Sequence, residues 1–395
     1  MHRIIGLFAT TLCLAACDAP ETGARSVRSV VDSAGSYPMI RISGDAPQWT
    51  AKLVSVVGAE RDGGSAFGSV RSVVLDARGW TYVVDDANVQ VSVYDDGGRF
   101  RSHLGRRGAG PGEYRRPYSI AVLGDSIALF DPGLSRISLL GLDGRWIREW
   151  TTPPNTGPQM VRLYRNPPST FWAYATRAGR TGLERTFVRY GSSGPRDTLP
   201  LPPPAGGDEG IRCSSPDGSF SFYPSPFGFT PLMVPAPTGE RVATVGGGYR
   251  IAFLGSDGDT LRAIERDAEA APVTDSLWEE ATAEWRAYRA RRPDAFCSAG
   301  GFARPATQPT LGMIFFDDVG QMWVEVLSAL GLQYDVFTSE GQLRASVRGL
   351  PSTAGIEPSV TAGRIALVVA DSLGEQLVHV FSVGEGPSRP DEGSR

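Results

Sequence analysis

Apolar and polar residues alternate in short runs that recur along most of the chain. Six of them, Trp80–Val84, Ser126–Phe130, Thr170–Ala175, Glu240–Val245, Gln321–Glu325 and Arg364–Val369, begin 46, 44, 70, 81 and 43 residues apart. Alternation of this kind, rich in Val, Ile and aromatics, marks β-strands. Around the first run, Ser69–Leu75, Val89–Tyr94 and Arg99–Leu104 have the same character, so the repeating unit is four consecutive strands. Its third and fourth strands are joined by Asp95-Asp96-Gly97-Gly98, and Leu142-Asp143-Gly144, Ser192-Ser193-Gly194, Ser256-Asp257-Gly258 and Ser339-Glu340-Gly341 stand at the corresponding places. Such turns need the positive φ that glycine supplies. Four-stranded units at roughly 40–50 residues predict propeller blades, and the two longer gaps are the same unit carrying insertions. The last unit shows three strands, Ile356–Val360, Arg364–Val369 and Gln376–Phe381, while Ala51–Val57 is a strand without a unit. Letting that strand complete the last blade removes an open sheet edge. The expected fold is therefore all-β: a six-bladed β-propeller of four-stranded antiparallel blades, closed by an N-terminal strand, over residues 49–383.

The insertions fall at about 200–226 and 267–308, between blades three and four and between blades four and five. Both connect an outer strand to the next inner strand, so both emerge on one face. Cys213 lies in the first and Cys297 in the second, and a Cys213–Cys297 disulfide would staple them; two separate thiols are the alternative. The second insertion holds the one helical pattern, with a helix expected at about Thr274–Arg292. Thr274 suits the N-cap, acidic residues follow it, Arg289, Arg291 and Arg292 suit the last turn, and Pro293 ends it. Leu277, Trp278, Ala281, Trp285 and Tyr288 share one face, either to pack the helix onto the propeller or to form a lid or partner-docking element. The glycine-rich connection 105–117 belongs on the same face. There Arg106, Arg107, Arg115 and Arg116 could meet Arg286, Arg289, Arg291 and Arg292 as an anion-binding cluster, or they could be solvated with partners such as Glu113.

The chain's ends give an address. MHRIIGLFATTLCLAAC has a basic Arg3, an apolar run and small residues before a cysteine, the pattern of a secretory signal. Leu14-Ala15-Ala16-Cys17 resembles a bacterial lipobox, which implies cleavage of residues 1–16 and lipidation of Cys17. Asp18 resembles an inner-membrane retention signal. The apolar run is shorter than the roughly 20 residues that span a bilayer, so the acyl chains would be the anchor. Residues 17–48 read as a lipidated tether with a reach of roughly 30 Å, and 384–395 as a disordered tail. An address in the bilayer-bound envelope, facing the periplasm or the cell surface, is disulfide-permissive.

Composition narrows the chemistry. The formal charge is −4, against any general affinity for nucleic acid. Lys52 is the sole lysine, and His103 and His379 are the only histidines beyond the signal. They fall in an outer and a third strand, so three-histidine zinc sites and Ser-His-Asp triads have no material. GAGPGE lacks the Lys-Ser/Thr ending of a phosphate loop.

YVVDDANVQVSVYDDGGRF resembles an NHL-type repeat, and GRRGAGPGEYRRP resembles the linker of bacterial six-bladed β-propeller lipoproteins. Blades three to five lack the usual aspartate after the second strand. The resemblance implies a fold and an envelope address, not an activity. Some six-bladed propellers, such as gluconolactonase and paraoxonase-like enzymes, hold a divalent metal in the channel. Asp85, Asp86, Asn88, Asp131 and Glu325 are of the right type for calcium, which needs six to eight oxygens. The same Asp-x-x-Asn pattern can instead tie down a turn. The expected function is a ligand- or protein-binding module of the cell envelope, without a cofactor, recognising its partner on the insertion face through Arg106, Arg107, Glu113, Arg115, Arg116, Trp278, Trp285 and Arg289. The alternatives are a metal-dependent lactonase or esterase in the channel, and a structural partner that binds through the helix.

Overall fold

The computed structural model describes residues 27–58, 66–152, 162–166, 169–179, 182–201, 210–229, 232–371 and 373–385. The expected second strands are all present, each inside a four-stranded antiparallel array. The first array is Val70–Leu75, Thr81–Asp85, Gln90–Tyr94 and Phe100–His103; the second is Ser119–Leu123, Ser126–Asp131, Arg136–Gly141 and Trp146–Thr151. The third runs Leu163–Asn166, Thr170–Gly179, Gly182–Gly191 and Gly194–Leu201, and the fourth Met233–Pro235, Arg241–Thr244, Arg250–Leu254 and Thr260–Arg266. The fifth is Leu311–Phe316, Met322–Ser328, Gly331–Phe337 and Leu343–Arg348. After it come Ser359–Thr361, Arg364–Ala370 and Gln376–Glu385, with Gln48–Val57 antiparallel to the last of these and parallel to Leu343–Arg348. These arrays are the blades of a β-propeller.

Burial explains why the second strands were the clearest signal. Every residue of TYVVD and SIALFD is buried, because both sheet faces pack on neighbours, whereas the outer WIREWT is almost wholly exposed. The cores lie between blades. Tyr82, Val84 and Val91 pack with Ile120, Ile127 and Leu129; Ala121 and Phe130 pack with Phe171 and Tyr190. Val242 and Ile251 meet Ile314 and Val324, Trp323 and Tyr334 meet Ile365 and Leu367, and Val368 and Val380 return to Val70 and Val83. At the inner edges, serines stitch one strand to the next. Ser72 Oγ accepts from Ile120 N at 3.4 Å, Ser119 Oγ from Leu163 N at 3.0 Å, and Ser359 Oγ from Leu75 N at 2.9 Å. Each hydroxyl satisfies an edge N–H that the in-blade ladder leaves open.

The turn chemistry is as expected. Asp95 Oδ1 accepts from the backbone N–H of Gly97 and Arg99, and Gly98 takes φ 81°. Gly98 also abuts the N-terminal strand, where an added Cβ would stand 2.6 Å from that of Ser55.

One boundary needs correction. The segment expected to be tether up to residue 48 contains the strands Arg28–Asp32 and Met39–Ser43, the second parallel to Thr260–Arg266. Alternate residues of MIRIS bury Ile40 and Ile42 in the core between blades four and five, and the pair covers the edge of blade four. Cys17, the signal segment and most of the expected tail lie outside the described residues.

The insertions build a satellite. Gly210–Ser214 pairs with Phe220–Pro224 on one side and Phe296–Cys297 on the other. A disulfide joins Cys213 to Cys297 across a sequence separation of 84. The helix α1, Asp275–Arg291, carries the expected Thr274 cap, whose side chain accepts from Leu277 N. Two residues of its apolar stripe pack on this small sheet: Tyr288 and Trp285 join Ile211, Cys213, Ala295 and Phe302. Among the described residues no helix is long and apolar enough to cross a membrane.

Candidate functional site in the central channel

The inner strands of the successive arrays converge on a cavity of about 420 Å³. Most of its polar wall comes from positions just before or inside these strands: Arg71, Tyr118, Arg162, Tyr164, Arg165 and Glu357. Glu357 is the only carboxylate among its lining residues, against three arginines. Arg162 Nη1 donates to Glu357 Oε2 at 3.2 Å. Burial pushes the Glu357 carboxyl above the ordinary glutamate range, and the Arg162 guanidinium opposes that. Burial works against the Arg162 charge, but Glu357, Tyr164 and Tyr118 outweigh it and raise its pKa. Burial also pushes the Tyr164 phenol well up.

Arg165 is in a different position. Its Nη1 donates to Thr361 Oγ1 at 2.6 Å, and burial lowers its pKa, opposed only by Asp318, Asp317 and Asp76 from a distance. Arg71 reaches Asp86 at 3.5 Å and lies 6.0 Å from the centre of the Tyr118 ring. Asp86 also accepts from Arg116 Nε at 3.4 Å. Arg116, from the GPGE connection, is thereby tied to the channel wall. A cavity of this size with surplus guanidinium charge, phenols and apolar strand edges suits a small anion with an organic body.

The remaining expected face is not assembled as a cluster. Arg106 and Arg107 are exposed, and Arg106 Nε donates to Glu113 Oε1 at 2.8 Å. Glu113 also accepts from Gly110 N, and these bonds hold its carboxyl below the usual range. Arg136 grips the loop from beneath, donating to the carbonyls of Ala109, Gly110 and Glu113. On α1, Arg286 pairs with Glu279, Arg292 with Asp217, and Arg289 donates to Ala295 O. Arg106, Arg116, Arg286, Arg289 and Arg292 thus each have a partner on or beside their own segment or at the channel wall. Trp278 is half-buried, and Trp285 stacks edge-on against Phe302 at 5.3 Å.

The calcium candidates are also spoken for. Asp85 accepts from the backbone N–H of Gly68, Ser69 and Asn88 and from Asn88 Nδ2; Asp131 accepts from Arg115 N, Arg116 N and Gly133 N. Glu325 accepts from Met313 N and from the Tyr334 hydroxyl, filling space that the missing side chain of Gly312 leaves. These carboxylates do not converge, and a cation would have to displace N–H donors that favour the anion. The residues do not fit a calcium site, and among the described residues no group of three or more His, Cys, Asp or Glu is placed to hold a metal. Their common role is to lock the incoming connection to the end of the second strand. In blade four, where the aspartate is missing, Thr244 Oγ1 does this by accepting from Leu232 N at 2.9 Å.

The channel residues escaped sequence reasoning. Positions 71, 118, 162, 165 and 357 form no motif and meet only through the ring. The available signal was a charged residue recurring at the mouth of short inner strands: RSVVL, RLYRN, EPSV.

Residues 67–172 match a protein family described as a 6-bladed beta-propeller. No curated protein matches the chain. Solved structures similar to the chain at low identity include the following three. A candidate exported protein of Bacteroides fragilis is 11% identical over 85% of this chain and 96% of its own, with a TM-score of 0.44. A candidate gluconolactonase is 12% identical, over 85% and 93%, at 0.39. The PQQ-bound aldose sugar dehydrogenase of Streptomyces coelicolor is 14% identical, over 86% and 100%, at 0.41. At these scores none of them bears on this chain's chemistry.

Proposed function

We propose that the protein is a lipid-anchored, six-bladed β-propeller of the bacterial envelope that binds a small organic anion in its central channel. The observation that carries this reading is Arg165 in the cavity wall, bonded to the Thr361 hydroxyl, beside Arg71 and Arg162, which face Asp86 and Glu357. The address rests on the signal pattern before Cys17 and is supported by the Cys213–Cys297 disulfide, a bond of oxidising compartments. Gln48–Val57 serves as the outer strand of the last blade and closes the ring.

A hydrolase using a metal in the channel would need several oxygen ligands there. The lining supplies one carboxylate, already paired with Arg162, so the binding reading is preferred. Isothermal titration with benzoate, citrate and inorganic phosphate, beside neutral benzamide, tests it. At least one anion should bind, benzamide should not, and Arg162→Gln should weaken the anion selectively. Equal behaviour of charged and neutral probes, or of wild type and variant, would refute the site.

A further inference from the structure

The satellite sheet has two unlike faces. Ile211, Cys213, Tyr223 and Cys297 gather with α1, whereas Phe220, Phe222 and Phe296 are 63%, 44% and 79% exposed. The register sets the three side by side: Phe220 and Phe296 pair with Ser214 from opposite sides, and Phe222 follows Phe220 by two positions. Phe222 lies against Gly210, where an added Cβ would stand 2.6 Å from the ring. Together the rings expose on the order of 350 Å² of apolar surface, a patch size that in monomers is often functional.

The N-terminal end of the chain indicates what covers this face. Arg28 stands opposite Ser43 in the edge hairpin, and Ile42 stands opposite Arg266. Arg28 is therefore at the Arg266 end of blade four, two strand spacings or roughly 10 Å away from it. Arg266 is also where the chain leaves for the second insertion. The chain from Cys17 enters the fold beside the root of the satellite. Residues 18–27, fully extended, span at most about 36 Å.

We propose that Phe220, Phe222 and Phe296 form a membrane-contact surface, seated in the interfacial layer of the bilayer that holds the lipidated Cys17. The proposal rests on the lipid anchor of the proposed function. An anchor alone leaves the propeller free to swing, and a second apolar contact fixes which face the membrane sees.

The test uses the mature chain from residue 17 with Cys17→Ser, which carries neither the apolar signal segment nor the acyl chains and leaves the aromatic face as the membrane contact. Its sedimentation with phosphatidylcholine–phosphatidylglycerol vesicles should be measurable and should fall roughly tenfold or more in Phe220→Ser/Phe296→Ser. Phe296→Ser alone, at the most exposed ring, should give an intermediate loss and guards against misfolding of the double variant. Absence of vesicle binding by the Cys17→Ser chain, or equal binding by the variants, overturns the proposal. So does a concentration-dependent dimer that the same substitutions abolish, since a second copy then covers the face. Failure of the anchor reading registers separately, as wild-type chain that incorporates no labelled fatty acid.

Discussion

Replacing Asp335 by alanine should be among the most damaging single changes in the propeller. Asp335 is fully buried in the third strand of blade five and accepts four side-chain hydrogen bonds. Tyr249 Oη donates at 2.8 Å and Gln333 Nε2 at 3.0 Å, with Arg266 and Ser346 as the other donors. Arg266, only 12% exposed, belongs to blade four, so the carboxylate ties two blades together. Alanine leaves a guanidinium, two hydroxyls and an amide without their acceptor. Breaking a buried pair from one side costs about 3–5 kcal/mol. Asparagine keeps the shape but turns an NH₂ toward donors, and about 2 kcal/mol is expected. For a cooperative unit of roughly 340 residues, the entropy of unfolding near Tm is about 0.7 kcal/mol/K, so 4 kcal/mol lowers Tm by about 6 °C. Replacing both partners, Asp335→Leu with Arg266→Met, should recover more than half the loss, because desolvation opposes the pair's attraction. Urea titration followed by tryptophan fluorescence, with the disulfide intact, reads all three variants. A loss below about 1 kcal/mol for the alanine variant, or a double variant no better than the single, would refute the account.

Other outcomes follow from the same interactions. Arg162→Met leaves Glu357 buried without its counter-charge. A carboxyl raised above its unfolded value holds more protons in the native state, so stability falls as pH climbs through the window above about 4.5; the variant's deficit in Tm should grow from that pH upward, and a pH-independent deficit would contradict it. Asp131→Ala frees three backbone N–H groups and should cost about 2–3 kcal/mol in urea titration. Because that role is structural, chelation should leave the wild-type Tm unchanged; a drop on adding EDTA would restore a metal to the channel. Reducing Cys213–Cys297 should speed hydrogen exchange in 210–224 and 296–298 while leaving 119–141 protected. Simultaneous loss in both regions would show that the satellite and blades unfold together. For that cooperative case the chain-entropy model sets an upper value of about 4.6 kcal/mol for closing an 84-residue loop.

What could be read in the sequence was what the neighbours of a residue in the chain decide. Strands buried on both faces, such as TYVVD and SIALFD, must be apolar over their whole length, and Asp-Gly turns must fall between them. The helix showed itself through Thr274 and Pro293, and the disulfide through the placement of both cysteines in adjacent insertions. Arg28–Ser43 reads as tether in sequence because its strands are short and an edge demands only alternate apolar residues, Ile40 and Ile42 here. Local carboxylates hold several arginines of the expected cluster: Glu113 pairs with Arg106, Asp86 with Arg116, Glu279 with Arg286 and Asp217 with Arg292. Asp85 and Asp131 were ambiguous from composition alone, since a carboxylate that caps N–H groups and one that binds calcium look identical in a sequence.

Buried charge in the ring is met in more than one way. Between blades, Arg266 meets Asp335, and within blade four Arg262 meets Glu240 at 2.7 Å, while the buried Arg241 is held by the carbonyls of Pro200 and Gly255. The inner serines show the same economy, each spent on a neighbouring strand's N–H. In the cavity, Arg165 has a hydroxyl for its hydrogen-bond partner among the described residues, and burial depresses its pKa. A guanidinium cannot shed its proton near neutral pH, and Arg165 has Asp318, Asp317 and Asp76 acting on it from a distance, so an anion in the cavity would gain a charge-assisted partner there. Arg165 is therefore the group on which the proposed anion site chiefly rests, since Arg71 and Arg162 already face Asp86 and Glu357.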